Sequence, residues 1–240
     1  MNNTELIQGN VADPEKVEEF LDMLHENLAP VENLMMYYEC AVMVIETKFN
    51  ILNERFSLQY DRNPIETIKT RVKSYDSIIR KMVRKNIAPT LDDIAANMFD
   101  IAGVRVICSF ERDVYLLADH LLAQEDVILL QKKDYIKNPK ENGYRSLHLI
   151  ISIPIYTEEG KKIIPVEVQL RTIAMDFWAS LEHKIRYKKD IPEELRDELA
   201  LHLKDCAEKS RQLDIDFQNI YLRMLGEDNP ALCISDENLK

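Results

Sequence analysis

The sequence predicts an α/β or α+β protein in which helices flank a small mixed β-sheet and long helices lie at both ends. Apolar residues recur at helical spacing near both ends of the chain. The middle instead holds short apolar or alternating runs between turn signals, which are typical of strands. With 240 residues, the chain is long enough for one domain with a sizeable core.

Three helices are predicted before the first strand. The first begins at Asp13-Pro14, a favourable cap followed by a favourable first residue, and its apolar side ends at Leu28. The second covers residues 31–56. The third is capped by Asn63, opened by Pro64 and continues to residue 85, with isoleucine, valine and methionine on one face.

The opposite face of this third helix is strongly basic. Residues 62–85 contain eight basic and two acidic residues, a local charge of +6 in a chain whose net charge is −11. A solvated helix face normally mixes its charges, so this face suits a polyphosphate. The plainer alternatives are solvation and docking of an acidic partner. The side chains concerned are Lys73, Ser77, Lys81 and Arg84.

Strands and helices alternate in the prediction for the remaining chain. In order they are a short helix capped by Thr90, a strand over 100–108, a helix over 114–123, a strand starting at 127–130, a polar loop over 132–145, a strand over 147–155, a strand over 162–170, a helix over 172–187 and a long helix over 192–225. The long end helices favour self-association. We therefore predict oligomerisation helices over 1–60, a core over 61–190 and a C-terminal helical arm and tail over 191–240.

Polar side chains alternate with apolar ones in the last predicted strand. Glu167, Gln169 and Arg171 should project from one sheet face, and a second acid, Asp100, lies at the entry of another strand. Two carboxylates at neighbouring strand ends suit Mg²⁺ completed by substrate phosphates, and one of them could accept a proton. The plainer alternative is the exposed face of an antiparallel hairpin.

The polar loop suits a nucleotide, because its tyrosines and cations are interleaved. Tyr144 offers a ring for stacking, and basic side chains such as Lys140 could hold phosphates. The alternative is a surface loop with ordinary lysines. Arg105, on the first strand of the core, and Arg171 add donors that match phosphate geometry.

Composition excludes several classes of protein. The chain has 5 scattered glycines, too few for the clustered glycines of a dinucleotide fingerprint or a Walker A loop. The net charge of −11 argues against a protein that coats nucleic acid or anionic membranes. Its four separated cysteines predict free thiols in the cytoplasm and no zinc site. No apolar run is long enough to span a membrane, and the N-terminus lacks signal-peptide features.

Five ordered motifs resemble the synthetase domain of the RelA/SpoT family, which makes the alarmones ppGpp and pppGpp. The likeness covers roughly residues 60 to 190. The motifs are Arg71-Val72-Lys73 with Ser77, Lys81 and Arg84; Asp100-Ile101-Ala102-Gly103-Val104-Arg105; Asn142-Gly143-Tyr144-Arg145-Ser146-Leu147-His148; Glu167-Val168-Gln169-Leu170-Arg171-Thr172; and Trp178-Ala179-Ser180-Leu181-Glu182-His183.

The resemblance implies a nucleotidyltransferase-like fold and transfer of pyrophosphate from ATP to the 3′-hydroxyl of GDP or GTP. It implies that Asp100 and Glu167 are catalytic and bind Mg²⁺, with Glu167 activating the hydroxyl and Tyr144 stacking on guanine. The ATP-binding residues it implies are Arg71, Lys73, Ser77, Lys81, Arg84 and Arg105. Those implied for GDP or GTP are Lys133, Lys140, Tyr144, Arg145, His148, Gln169 and Arg171.

The resemblance also implies a monofunctional small alarmone synthetase that forms a homotetramer. About sixty residues precede the motifs, too few for the family's hydrolase domain, and nothing after them matches its regulatory region. Two alternatives stay open: another enzyme of the nucleotidyltransferase fold, and an RNA-binding regulator without catalysis. Expected partners are the nucleotides and single-stranded RNA, with neither DNA nor membrane.

Overall fold

A computed structural model describes residues 29–186 and 193–225. Its centre is a mixed sheet, as the sequence predicts, but with five strands where the sequence predicts four. The strands are β1 (Ile65–Val72), β2 (Ala102–Cys108), β3 (Ile128–Asp134), β4 (Leu147–Thr157) and β5 (Gly160–Thr172). The helices are α1 (Ala29–Tyr60), α2 (Tyr75–Lys85), α3 (Leu91–Asn97), α4 (Glu111–Leu122), α5 (Ile173–Arg186) and α6 (Glu193–Leu225).

The order of strands across the sheet is β1-β2-β5-β4-β3. Only β2 and β5 run parallel, and every other neighbouring pair is antiparallel. The loop before β4 therefore lies at the same end of the sheet as the carboxyl ends of β2 and β5, since Leu147 pairs with Leu170.

One face of the sheet forms the core. Val104, Val168 and Leu149 are at most 1% exposed and belong to one cluster with the buried side of α1. Helix α4 packs against β2 and β5. Because side chains alternate along a strand, the intervening residues of β2, β4 and β5 point to the other face. This second face carries the polar residues.

The helix predicted over 63–85 is wrong, because it is two elements. Residues 65–72 form the edge strand β1, paired with β2 from Ile65–Cys108 to Val72–Ala102, and α2 begins only at Tyr75. The segment is rich in β-branched residues, which favour a strand, and pairing with β2 overrides its helical periodicity. The break also explains how Arg71 and Lys73, two residues apart, line the same cleft.

The other core elements confirm the predictions with small shifts at their ends. Strand β3 continues to Asp134, so Lys133 lies in a strand and not in the polar loop. Thr90 and Thr172 do cap helices: each hydroxyl accepts a hydrogen bond from the amide three residues on. The helix predicted from residue 13 lies outside the described residues. Within the described ranges, no helix is long and apolar enough to cross a membrane.

Candidate active site

A row of polar side chains crosses the second face of the sheet. Strand register places Lys69 beside Arg105, Arg105 beside Gln169, Gln169 beside His148 and His148 beside Lys133. Each strand therefore contributes one residue to the row, although these residues are far apart in sequence. Four of them were predicted as site residues; Lys69 was not.

A cleft of about 320 Å³ opens beside this row, over β1 and β2. Gly103 lies between Arg71 and Glu167 in register, so no side chain fills the space between them. The cleft collects predicted residues from three separate segments of the chain. Its charged and amide side chains are Lys69, Arg71, Lys73, Asp100, Arg105, Glu167 and Gln169.

Asp100 is an ionised carboxylate between two lysines. Its Oδ2 atom lies 3.1 Å from Lys73 Nζ and also pairs with Lys81 Nζ. Burial by itself would raise the pKa of Asp100, but the two lysines outweigh it and hold the pKa below its ordinary value. Its Oδ1 atom is buried and has no hydrogen-bond partner among the described residues.

Glu167 is the second carboxylate of the cleft, and both of its oxygens are held. His148 Nδ1 lies 3.2 Å from Oε1, and the Gln169 amide donates to Oε2 at 3.0 Å. Burial would raise the pKa of Glu167, yet the His148 and Gln169 contacts lower it overall, against repulsion from Asp100. Glu167 is therefore ionised at neutral pH and able to accept a proton.

An aromatic cluster lies at the other side of Glu167. The rings of Tyr135, Tyr144 and His148 meet edge to face, with centroids 5.3–6.0 Å apart. Lys140 Nζ lies 4.8 Å from the Tyr144 ring centre. A shallow opening borders Tyr144 and Lys140, with Asn142 and Glu182 on its wall. A planar base stacked on Tyr144 would meet amide, carboxylate and ammonium groups at its edge.

Asp176 is a site residue that the sequence analysis missed. This carboxylate, in the first turn of α5 and 8% exposed, contacts Lys69 Nζ at 2.9 Å and both Arg105 and Arg171 at 3.4 Å. It binds cations of three different strands, β1, β2 and β5. Its place directly after the polar strand β5 was the only available signal, and no local pattern gave its partners.

Arg145 and Arg171, which were predicted to meet the acceptor nucleotide, both lie against protein acceptors in the structure. Arg145 is buried and donates to the Ala207 carbonyl of α6. Arg171 is 4% exposed, and its guanidinium donates to Ser146, Asp176, Gln169 and the Tyr144 hydroxyl.

Both arginines turn inward because α5 and α6 offer them acceptors within the protein. Arg145 meets a carbonyl of α6, and Arg171 meets the Asp176 carboxylate of α5. Arg145 fixes the loop to α6, and Arg171 packs over the Tyr144 ring of the aromatic cluster.

Three of the remaining predicted residues lie on the basic side of α2, and the fourth, Lys133, lies on β3. Ser77, Lys81 and Arg84 share one helix face by their spacing, and only Lys81 reaches a cleft residue in the described contacts. The Ser77 hydroxyl is 3.0 Å from that of Ser74, and Arg84 is exposed. Lys133 is exposed at the edge strand, beside His148.

Known proteins resemble this chain over most of its length. Residues 70–192 match the region found in RelA and SpoT proteins. The chain is 44% identical to the GTP pyrophosphokinase YwaC of Bacillus subtilis over 196 residues, which covers 81% of this chain and 91% of the relative.

Solved structures resemble most of this chain. The small alarmone synthetase 2 of Bacillus subtilis superposes with a TM-score of 0.70 at 42% identity, covering 79% of this chain and 97% of that one. The small alarmone synthetase 1 of the same species, bound to its product pppGpp, gives 0.71 at 36% identity, covering 80% and 96%. The chain therefore belongs to the RelA/SpoT family.

Proposed function

We propose that the chain is a (p)ppGpp synthetase, a GTP pyrophosphokinase that transfers pyrophosphate from ATP to the 3′-hydroxyl of GDP or GTP. The observation that carries the proposal is Glu167: an ionised, oriented carboxylate between a cationic cleft and an aromatic platform. The relative named GTP pyrophosphokinase YwaC and the synthetase bound to pppGpp support the same reaction.

Four groups of the cleft have roles in the transfer step. Glu167 accepts the proton of the acceptor's 3′-hydroxyl while the hydroxyl oxygen bonds to the β-phosphorus of ATP. The bond from that phosphorus to the α,β-bridging oxygen breaks, and AMP is released. Arg71, Lys73 and Arg105 hold the triphosphate. Because the charge is spread over phosphate oxygens in the transition state, fixed cations stabilise it.

The two carboxylates fit a magnesium ion. Oxygen ligands suit Mg²⁺, and the buried Oδ1 of Asp100 has no partner within the described residues, so it offers a free lone pair to a cation. We propose that Asp100 and Glu167 hold Mg²⁺ together with substrate phosphates. When bound, the ion would neutralise charge on the transferring pyrophosphate.

The acceptor nucleotide is proposed to stack on Tyr144. Lys140 is exposed and close to the ring, and Lys133 is exposed on β3 beside His148. These cations can hold the acceptor's 5′-phosphates once the base is seated. Arg145 and Arg171 are left out of this set because their guanidinium groups are buried against protein acceptors.

One experiment tests the proposed function. Purified protein is incubated with ATP, Mg²⁺ and either GDP or GTP, and the products are separated by anion-exchange chromatography. We expect AMP and a guanosine 3′-pyrophosphate in equal amounts. Glu167→Gln should abolish both while a thermal melt shows that the variant is folded. Glu158→Gln, the same change in an exposed turn residue, is the control. Transfer of AMP instead of pyrophosphate would indicate the other nucleotidyltransferase reaction.

The exposed helices and the described cysteines bear on assembly and compartment. We propose a homotetramer formed through the end helices, supported by exposed apolar side chains on α5 and α6 such as Phe177 and Phe217. We propose a cytoplasmic protein, supported by the absence of disulfides among the described cysteines. Single-stranded RNA stays an expectation from the sequence.

A further inference from the structure

Hydrogen bonds connect Tyr144 to Glu167 through His148. The Tyr144 hydroxyl lies 2.8 Å from His148 Nε2, and His148 Nδ1 lies 3.2 Å from Glu167 Oε1. The three residues come from the loop before β4, from β4 and from β5. Because β4 and β5 pair with His148 opposite Gln169, this contact is fixed by strand register.

The donor and the acceptor of each hydrogen bond in this series can be assigned. An ionised carboxylate only accepts, so His148 Nδ1 donates to Glu167. The Arg171 guanidinium donates to the Tyr144 oxygen, so the proton of the Tyr144 hydroxyl is left for the adjacent His148 Nε2. Every proton in this series of hydrogen bonds is thus directed towards Glu167.

A second branch reaches the other oxygen of the same carboxylate. Arg171 also donates to the Gln169 side-chain oxygen at 3.1 Å, and the Gln169 amide donates to Glu167 Oε2 at 3.0 Å. Asp176 in turn holds Arg171. Both oxygens of Glu167 are therefore held by groups that are fixed to one buried guanidinium, so the carboxylate cannot rotate without breaking a hydrogen bond.

We propose that the Tyr144 hydroxyl and His148 are positioning residues that orient the Glu167 carboxylate, so that seating the acceptor base on the Tyr144 ring also aligns the general base. The proposal rests on the proposed function, because it takes Tyr144 as the stacking residue and Glu167 as the proton acceptor. Tyr144 then has two separable roles, since its ring binds the acceptor and its hydroxyl acts on the catalytic carboxylate.

The Tyr144→Phe substitution separates the two roles, because it keeps the ring and removes the hydroxyl. We expect kcat to fall about three- to tenfold, the effect of one neutral hydrogen bond lost from a positioning chain, with the KM for GDP within about twofold of wild type. Tyr144→Leu should raise that KM. Tyr156→Phe, the same change at an exposed residue of β4, should alter neither constant.

His148 supplies a second, independent measurement. His148→Leu removes both hydrogen bonds and should lower kcat more than Tyr144→Phe does. His148→Asn keeps an N–H group near the position of Nδ1 and should recover much of the loss. Thermal melts establish that each variant is folded.

The outcomes separate this inference from the proposed function. An active wild type with an equally active Tyr144→Phe variant would overturn the positioning role alone. So would a His148→Leu variant whose KM for GDP rises at unchanged kcat, because that marks direct contact with the acceptor. A wild type that forms no guanosine 3′-pyrophosphate would overturn the proposed function and this inference with it.

Discussion

The charge state of each key carboxylate in this protein depends on the donors and cations that contact it. Asp100 and Glu167 are both half-buried carboxylates, and in each case named donors keep the pKa low. Asp176 does the converse for cations, since its carboxylate holds Lys69, Arg105 and Arg171. Removing one partner of a buried pair costs more than removing one of an exposed pair, because the remaining charge keeps its desolvation penalty.

Asp176→Asn therefore should destabilise the protein by about 3 kcal/mol, since it leaves the buried Arg171 guanidinium without its counter-charge. Lys69→Met removes a partner whose side chain is 54% exposed and should cost no more than about 1 kcal/mol. Urea unfolding of both variants measures the difference. Equal losses would contradict the assignment of the buried pair as the stabilising one.

Asp214 should make stability depend on pH. Burial raises its pKa to about 6, against the opposing effects of the Thr172 hydrogen bond and Arg145. An unfolded aspartate titrates near pH 4, so between about pH 4 and 6 the folded state keeps a proton that the unfolded state has released. This contribution to stability is present below pH 4 and is lost as pH rises through 6.

Asp214→Asn removes that titration and keeps an oxygen that can accept from Thr172. We expect the melting temperature of the variant, relative to wild type, to rise by a few degrees between pH 4 and pH 7. Differential scanning calorimetry at several pH values measures it. A difference that stays constant with pH would show that Asp214 titrates normally.

At the scale of elements, loops and helix ends place the functional side chains. The loop before β4 carries Tyr144 and is fixed to α6 through the inward turn of Arg145. Gly143 has φ +89°, and a Cβ atom there would lie 2.5 Å from the Ala207 Cβ of α6. The loop therefore has both a backbone and a packing reason for glycine at this position.

Gly143→Ala should destabilise the protein and raise the KM for GDP, because it forces the loop away from α6. Gly160→Ala, at φ +105° with nothing within 4 Å, has backbone strain alone and should cost about 1 kcal/mol without affecting KM. Adding Ala207→Gly to Gly143→Ala should recover part of the lost affinity. Identical behaviour of the two alanine variants would argue against the packing contact.

At the scale of the whole molecule, two exposed apolar stripes stand out on the helices at the C-terminal end. The exposed apolar residues of α5 recur every four residues, and those of α6 recur at intervals of three or four. Each set therefore lies on one face of its helix. A groove of about 610 Å³ lies between them. The exposed residues are Ile173, Phe177, Leu181 and Ile185 on α5 and Leu213, Phe217, Ile220 and Met224 on α6.

Phe217→Glu should weaken the proposed self-association, because it places a charge in the middle of the α6 stripe. Light scattering after size-exclusion chromatography should give about four chains for wild type and a smaller assembly for the variant. Asn219→Glu adds the same charge to an exposed position of α6 outside the stripe and should leave the mass unchanged. A wild type that runs as one chain would contradict the tetramer.

Local chemistry is what the sequence by itself determined. The alternating polar residues of β5, the caps Thr90 and Thr172 and the order of the motifs all depend on residues a few positions apart, so they are readable without a structure. The segment 65–72 was misread for the same reason, because helical periodicity is local whereas its pairing with β2 is not.

Only the tertiary structure decided which charges face the cleft. It buried Arg145 and Arg171, brought Asp176 to three cations and joined Tyr144 to Glu167 through His148. These contacts depend on strand register and on helices α5 and α6 packing over distant strands. The direction of a long side chain depends on the hydrogen-bond acceptors that packing brings near it. No local sequence pattern specifies those acceptors.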